Sequence, residues 1–133
     1  MAGKSGDTGA ALGLLALRVG TSAMLILGHG WPKLAGFSAR SHRFADPLHV
    51  GTQWSLVLTI FAEFVCAACV LLGLATRFTV IPLLILFGVI TFVVQGGEPF
   101  GERELGALYG VAYLAIALLG PGRYSIDGAR GHA

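Results

Sequence analysis

Residues 78–95 read FTVIPLLILFGVITFVVQ, eighteen positions without one charged side chain. At a helical rise of about 1.5 Å per residue such a run is roughly 27 Å long, close to the thickness of a bilayer's hydrocarbon core. It reads as a membrane span, and the sequence on either side repeats the pattern. Upstream, the tight turn Ala75-Thr76-Arg77 separates it from a second apolar run, Trp54 to Leu74, interrupted by Glu63. Downstream, Gly96-Gly97-Glu98-Pro99 places glycine past the helix end and proline beyond it, a stop signal. A further run, Glu104 to Leu119, is acidic only at its start and ends at Gly120-Pro121-Gly122. Nearer the N-terminus, Ala10 to Gly30 is apolar apart from Arg18, and Pro32 should end or kink that helix.

This pattern predicts an all-α, integral membrane antiparallel four-helix bundle. Its spans lie near residues 10–30, 54–74, 77–95 and 104–120, within a single domain over residues 1–133. Residues 31–53 form an extramembrane loop, kept out of hydrocarbon by Pro32, Lys33, Arg40, Arg43 and Asp46. Met1 to Thr8 read as a short mobile tail. Lys4 before an apolar run is reminiscent of a secretory signal. Arg18 splits that run, however, and no small-x-small site follows closely, so a retained first helix is expected.

Composition agrees with the spans. Of 133 residues, 55% are hydrophobic and 12% charged, against roughly 25% charged in soluble domains. The polar residues are too few to cover a water-soluble surface. Disorder is excluded by the hydrophobicity, and a disulfide scaffold by the presence of only two cysteines. A net charge of +2 without a basic block gives no footprint for nucleic acid. Four spans put both termini on one side. Lys4, Arg77, Arg123 and Arg130 on that side balance Lys33, Arg40, Arg43 and Arg103 on the other, and Arg18 tips the count toward termini inside.

Charges within a bilayer cost about 2.5–3.5 kcal/mol on insertion scales, so each needs a partner or a role. Counted from the span ends, Arg18 lies roughly 12 Å and Glu63 roughly 16 Å deep, which predicts an Arg18–Glu63 ion pair. The pair either borders a polar cavity or only fixes helix register, the alternative to a pair being an Arg18 that snorkels to the near interface. Arg18, Ser22, Leu25 and His29 share one helix face. His29, Lys33 and Glu104 are then expected to converge on the mouth of a polar pocket, with Tyr109 and Tyr113 able to add hydroxyls. The ordinary alternatives are an interfacial histidine and tyrosines that pack.

Cys66-Ala67-Ala68-Cys69 has redox or metal-site spacing but lies mid-helix in an apolar run, where a thiolate is not stabilised. Packing is its expected role, and with no second cysteine pair no metal site is predicted. Gly106 and Gly110 form a G-x-x-x-G that favours close helix packing. No nucleophile–base pair or phosphate loop supports a hydrolase or kinase.

Taken in order, these motifs resemble the DoxX family of small membrane proteins. The matching residues are Leu17-Arg18 with Gly20, then His29-Gly30-x-x-Lys33-Leu34-x-Gly36, and Glu63. Gly73-Leu74-x-Thr76-Arg77 and Gly120-Pro121-Gly122-Arg123-Tyr124-Ser125-Ile126-Asp127 complete the likeness, which runs from Leu12 to Asp127. The resemblance implies a four-helix bundle with cytoplasmic termini in the cell membrane. The family takes its name from a subunit of an archaeal thiosulfate:quinone oxidoreductase, and other members are linked to oxidative-stress complexes or to quinone and thiol homeostasis. It carries His29, Lys33, Glu63 and Arg77 over as motif positions.

Two functions follow as expectations. One is a membrane subunit of a quinone- or thiol-linked redox system. Its pocket would hold a quinone among Arg18, His29, Lys33, Glu63, Glu104 and Tyr113, with His29 and Glu63 as candidate catalytic groups. No covalently bound cofactor is expected, so a partner redox protein would supply electrons, and a homo-oligomer is compatible with the chain. The other is a non-enzymatic adaptor or assembly factor whose buried charges only fix the bundle. A transporter is a distant third, because four helices leave little room for alternating access.

Overall fold

The computed structural model describes residues 4–131, and among them every regular element is helical. Residues 1–3 of the expected N-terminal tail lie outside the described residues. From Lys4 onward there is no tail but helix. The first helix, α1, runs as Lys4–Leu25, widens into a π-helical stretch at Ile26–Gly30 and resumes as Trp31–Ala35. A single turn, α2, follows at Phe37–Arg40. The second long helix, α3, spans Thr52–Leu72 with a π-helical stretch at Phe61–Cys66. Helix α4 spans Thr76–Val94 and ends in a third π-helical stretch, Ile90–Val94. Helix α5 covers Phe100–Leu119, and one last turn, α6, covers Ile126–Ala129.

Three helices, α1, α3 and α4, are long and apolar enough to cross a membrane. Helix α5 is long enough, but it begins four residues earlier than the run that suggested it and carries Glu102, Arg103 and Glu104 in its opening turns. The outward surface is apolar: Leu27, Phe78, Phe92, Leu108 and Leu118 are all exposed. The small interior is built from Leu25, Ala62, Cys66, Val70, Val80, Leu83, Phe87, Tyr113 and Ile116. Water does not suit such a surface, and lipid does. The chain is a multi-pass membrane protein.

Pro32 does not stop α1 where the sequence suggested. The wide turn before it transfers the hydrogen bonding to an i→i−5 pattern, with the Trp31 N–H donating to the Ile26 carbonyl. The missing proline N–H then falls at the first turn of a resumed helix, where none is required. The register of α1 against α3 also differs from the one expected: with α1 starting at Lys4 and not at Ala10, Arg18 stands level with Val70 and Leu71. Gly30 packs on the backbone of Glu63, so closely that an added Cβ would lie 2.5 Å from the Glu63 carbonyl oxygen. Glu63 is thus level with Gly30, and Arg18 is roughly 18 Å away down the helix.

That shift overturns the expected Arg18–Glu63 pair. Arg18, 1% exposed, instead closes the C-terminal end of α3. There Gly73, at φ 71°, caps the helix: its N–H donates to the Val70 carbonyl and the Leu74 N–H to the Cys69 carbonyl. Arg18 Nη1 donates to the Val70 and Leu71 carbonyls at 3.0 and 2.8 Å, and Nη2 to the Tyr124 carbonyl. A guanidinium at the negative end of a helix dipole is well placed. Asp127 completes this knot. Its carboxylate accepts the N–H groups of Ala75 and Thr76 at 3.0 and 3.1 Å, capping the start of α4. Its own N–H donates to the Gly73 carbonyl at 2.9 Å. The C-terminal segment is thereby tied to the α3–α4 turn.

Gly106 serves close packing as the sequence suggested. A Cβ there would stand 3.1 Å from Thr91 Oγ1 and 3.2 Å from Ile90 Cγ2, which brings α5 against α4. Arg103 then donates from Nε to the Thr91 carbonyl at 3.0 Å, within the wide turn that ends α4.

Candidate functional site

Helix α4 packs on the lower half of α3, Phe61 to Leu72, and parts from the upper half, Thr52–Ile60. The wedge left between them is a cavity of about 540 Å³, within the usual range for small-molecule sites. One face of α4 lines it, through Pro82, Ile85, Leu86, Val89, Ile90 and Val94. Opposite stand Leu58, Thr59, Phe61 and Ala62 of α3. Phe44, Pro47, Leu48 and Val50 of the 36–51 connection form the remaining wall.

Two charged residues reach this mainly apolar space. Lys33 Nζ lies 2.7 Å from Glu63 Oε1, and their side chains are 14% and 3% exposed. Each is delivered by a departure from regular helix. The π-helical stretch at 61–66 turns Glu63 toward α1, and the one at 26–30 carries α1 past Pro32 far enough for Lys33 to reach it. The couple offers ammonium N–H donors beside a carboxylate acceptor in a nearly dry setting.

The loop wall is fastened by Asp46. Its Oδ1 accepts the Val50 N–H at 2.9 Å and the Ser55 hydroxyl at 2.7 Å, while Oδ2 accepts the Gly51 N–H at 2.8 Å. The Ser55 hydroxyl above all, with the Gly51 and Val50 amides and nearby His49, holds the Asp46 carboxyl below the usual aspartate range, against an opposing desolvation. Asp46 therefore positions the connection over the first turn of α3. Nothing in the sequence reading singled out Asp46 beyond its polarity. Asp46-Pro47, with Ser55 nine residues on, is the kind of side-chain-to-backbone signal that marks such a turn.

Of the residues expected to gather here, Lys33 and Glu63 line the cavity. Arg18, His29, Glu104 and Tyr113 are not among its lining residues. Arg18 is held at the far end of α3. His29 sits edge-on to the Tyr109 ring, with centroids 5.9 Å apart. Tyr109 and Tyr113 both stack on Phe87, with centroids 5.2 and 6.1 Å away. Tyr113 is fully buried and shares a 3.1 Å hydrogen bond with Ser22, so it braces α5 against α1 instead of facing a ligand. Glu104 is exposed on α5, about 200° around the helix from Gly106, which faces α4. Cys66 packs in the core, Cys69 is half-buried, and both are free thiols. Among the described residues, no three His, Cys, Asp or Glu side chains come together to hold a metal ion.

A protein-family model described as DoxX matches residues 13–96, more than half of the chain. No curated protein and no solved structure matches it significantly.

Proposed function

The chain belongs to the DoxX family, and on that premise we propose that it is the membrane-embedded, quinone-binding subunit of a redox system. In this reading all four long helices cross the cell membrane as an antiparallel bundle with cytoplasmic termini. Arg103 and the glutamates beside it then sit at the entry of α5 to the opposite interface. The observation that carries the proposal is the Lys33–Glu63 couple at the wall of an apolar 540 Å³ cavity. A quinone needs apolar room for its ring and a hydrogen-bonding proton carrier at a carbonyl. Conversion to the quinol takes two electrons from a partner redox protein and two protons from the aqueous side. Lys33 gives a proton to a carbonyl oxygen and is reprotonated through Glu63, which draws on water, and a second turn of the same relay delivers the second proton.

The test is equilibrium binding of a quinone to the full chain in nanodiscs, with empty nanodiscs subtracted, together with mass spectrometry of small molecules carried through purification. Lys33→Met and Glu63→Gln should each weaken binding at least tenfold. Wild-type behaviour in both variants, with no quinone retained, would favour the adaptor reading. That reading draws support from Arg18, whose guanidinium hydrogen bonds all go to carbonyls of its own chain.

A further inference from the structure

The cavity has a direction. Its lining on α4 runs from Pro82 to Val94, about 18 Å along the helix axis. The rim between α3 and α4 is made of Leu58, Phe61 and Ile85, which are 51%, 47% and 58% exposed on the lipid-facing surface. The end nearest water is walled by Phe44, Pro47 and Leu48 on the connection that Asp46 fastens to α3. On the lipid side the wedge is edged by the parted helices α3 and α4, and on the water side by an apolar connection, itself exposed at Leu48 and Val50, that Asp46 ties to α3.

From this arrangement, and resting on the quinone reading above, we infer that the site is filled sideways from the bilayer and takes a neutral, long-chain quinone whose tail leaves between α3 and α4. The ring sits at Lys33 and Glu63, and the chain passes Leu58 and Ile85 into lipid. Charge decides between candidate lipids. Glu63 already neutralises Lys33 at 2.7 Å, so a phosphate or fatty-acid carboxylate would have to displace a buried carboxylate to be bound. A neutral head with carbonyl or hydroxyl groups adds hydrogen bonds without breaking the pair.

The experiment uses the full chain in nanodiscs and a decylubiquinone bearing a photoactivatable diazirine on its chain. Labelling should fall on the rim residues of α3 and α4, around Leu58, Phe61 and Ile85. Ile85→Trp and Leu58→Trp should weaken decylubiquinone binding at least tenfold while the chainless parent ring still binds. Leu114→Trp, on an exposed face of α5 away from the cavity, should bind as wild type. Labels confined to residues 44–50, or tryptophan variants that bind the long-chain probe normally, would overturn side entry and leave quinone binding standing. Failure of both the long-chain and chainless quinones to bind wild type would overturn both. A co-purified phospholipid that decylubiquinone cannot displace would overturn the neutral-head assignment. Should the tryptophan variants fail to fold, the labelling pattern of the wild type decides alone.

Discussion

Gly30 meets the main chain of Glu63 at a distance that leaves no room for a methyl group. This contact sets the level at which α1 and α3 cross, and through it the reach of Lys33 to its carboxylate partner. Gly30→Ala should therefore do more than overpack the crossing, which by itself costs about 1–3 kcal/mol. It should also lengthen the Lys33–Glu63 contact, so that quinone binding falls together with thermal stability in detergent. Unchanged melting and binding would mean that the crossing tolerates displacement.

The ion pair itself predicts a non-additive pattern. Lys33→Met or Glu63→Gln alone leaves an uncompensated buried charge, and each should destabilise by about 3 kcal/mol or more. The double variant should be markedly milder than the sum of the two. Thermal denaturation of the four proteins in one detergent measures the coupling. Strict additivity would show that the two side chains do not depend on each other.

Arg18 predicts a different loss. Arg18→Leu removes three donated hydrogen bonds from the α3 terminus and the Tyr124 carbonyl, each worth roughly 1.5–3 kcal/mol when the donor is charged. The segment around Tyr124 should become several-fold more sensitive to limited proteolysis, and Asp127→Ala should do the same by uncapping α4. Quinone binding should change far less in both, because the knot lies at the opposite end of α3 from the cavity. Equal protease resistance in all three proteins would contradict the tie.

Asp46 gives a pH dependence with a definite sign. Its folded carboxyl titrates below the free aspartate value, near 3.9, so its fastening of the connection is fully present above that value. It is lost only as pH falls through the lower, folded one. The Asp46 carboxyl resonance in NMR should titrate below the free value. The Val50 and Gly51 amide signals should shift with it, and Asp46→Asn should abolish that titration. A carboxyl titrating at or above the free value would refute the arrangement.

Much of the fold was legible because lipid imposes a coarse rule. The charge-free run at 78–95, the tight turn at Ala75-Thr76-Arg77 and the stop at Gly96-Gly97-Glu98-Pro99 placed α3 and α4 within about two residues of their ends. Pro32 misled because a proline reads as a break, while the π-helical turn that absorbs it leaves no composition signal. The helix continued past Pro32 brought Lys33 to Glu63, while Arg18 fell level with Leu71 because α1 starts at Lys4 and not level with Leu74 at Ala10. The acceptors of Arg18 are main-chain carbonyls, which no side-chain pattern reveals. Glu63 was marked by the cost of burying charge and Lys33 by its place after His29 at the expected pocket mouth, but their pairing depended on a register that only the packed helices set.

The knot at Gly73 also has a consequence in time. Arg18 leaves the ribosome long before Val70 and Leu71, and Tyr124 and Asp127 follow only after α5. During synthesis the guanidinium lacks its carbonyl partners on α3 until that helix is made, and the join is sealed only once Tyr124 and Asp127 have emerged. Assembly therefore cannot finish helix by helix. A segment made after α5 locks a charge carried by α1.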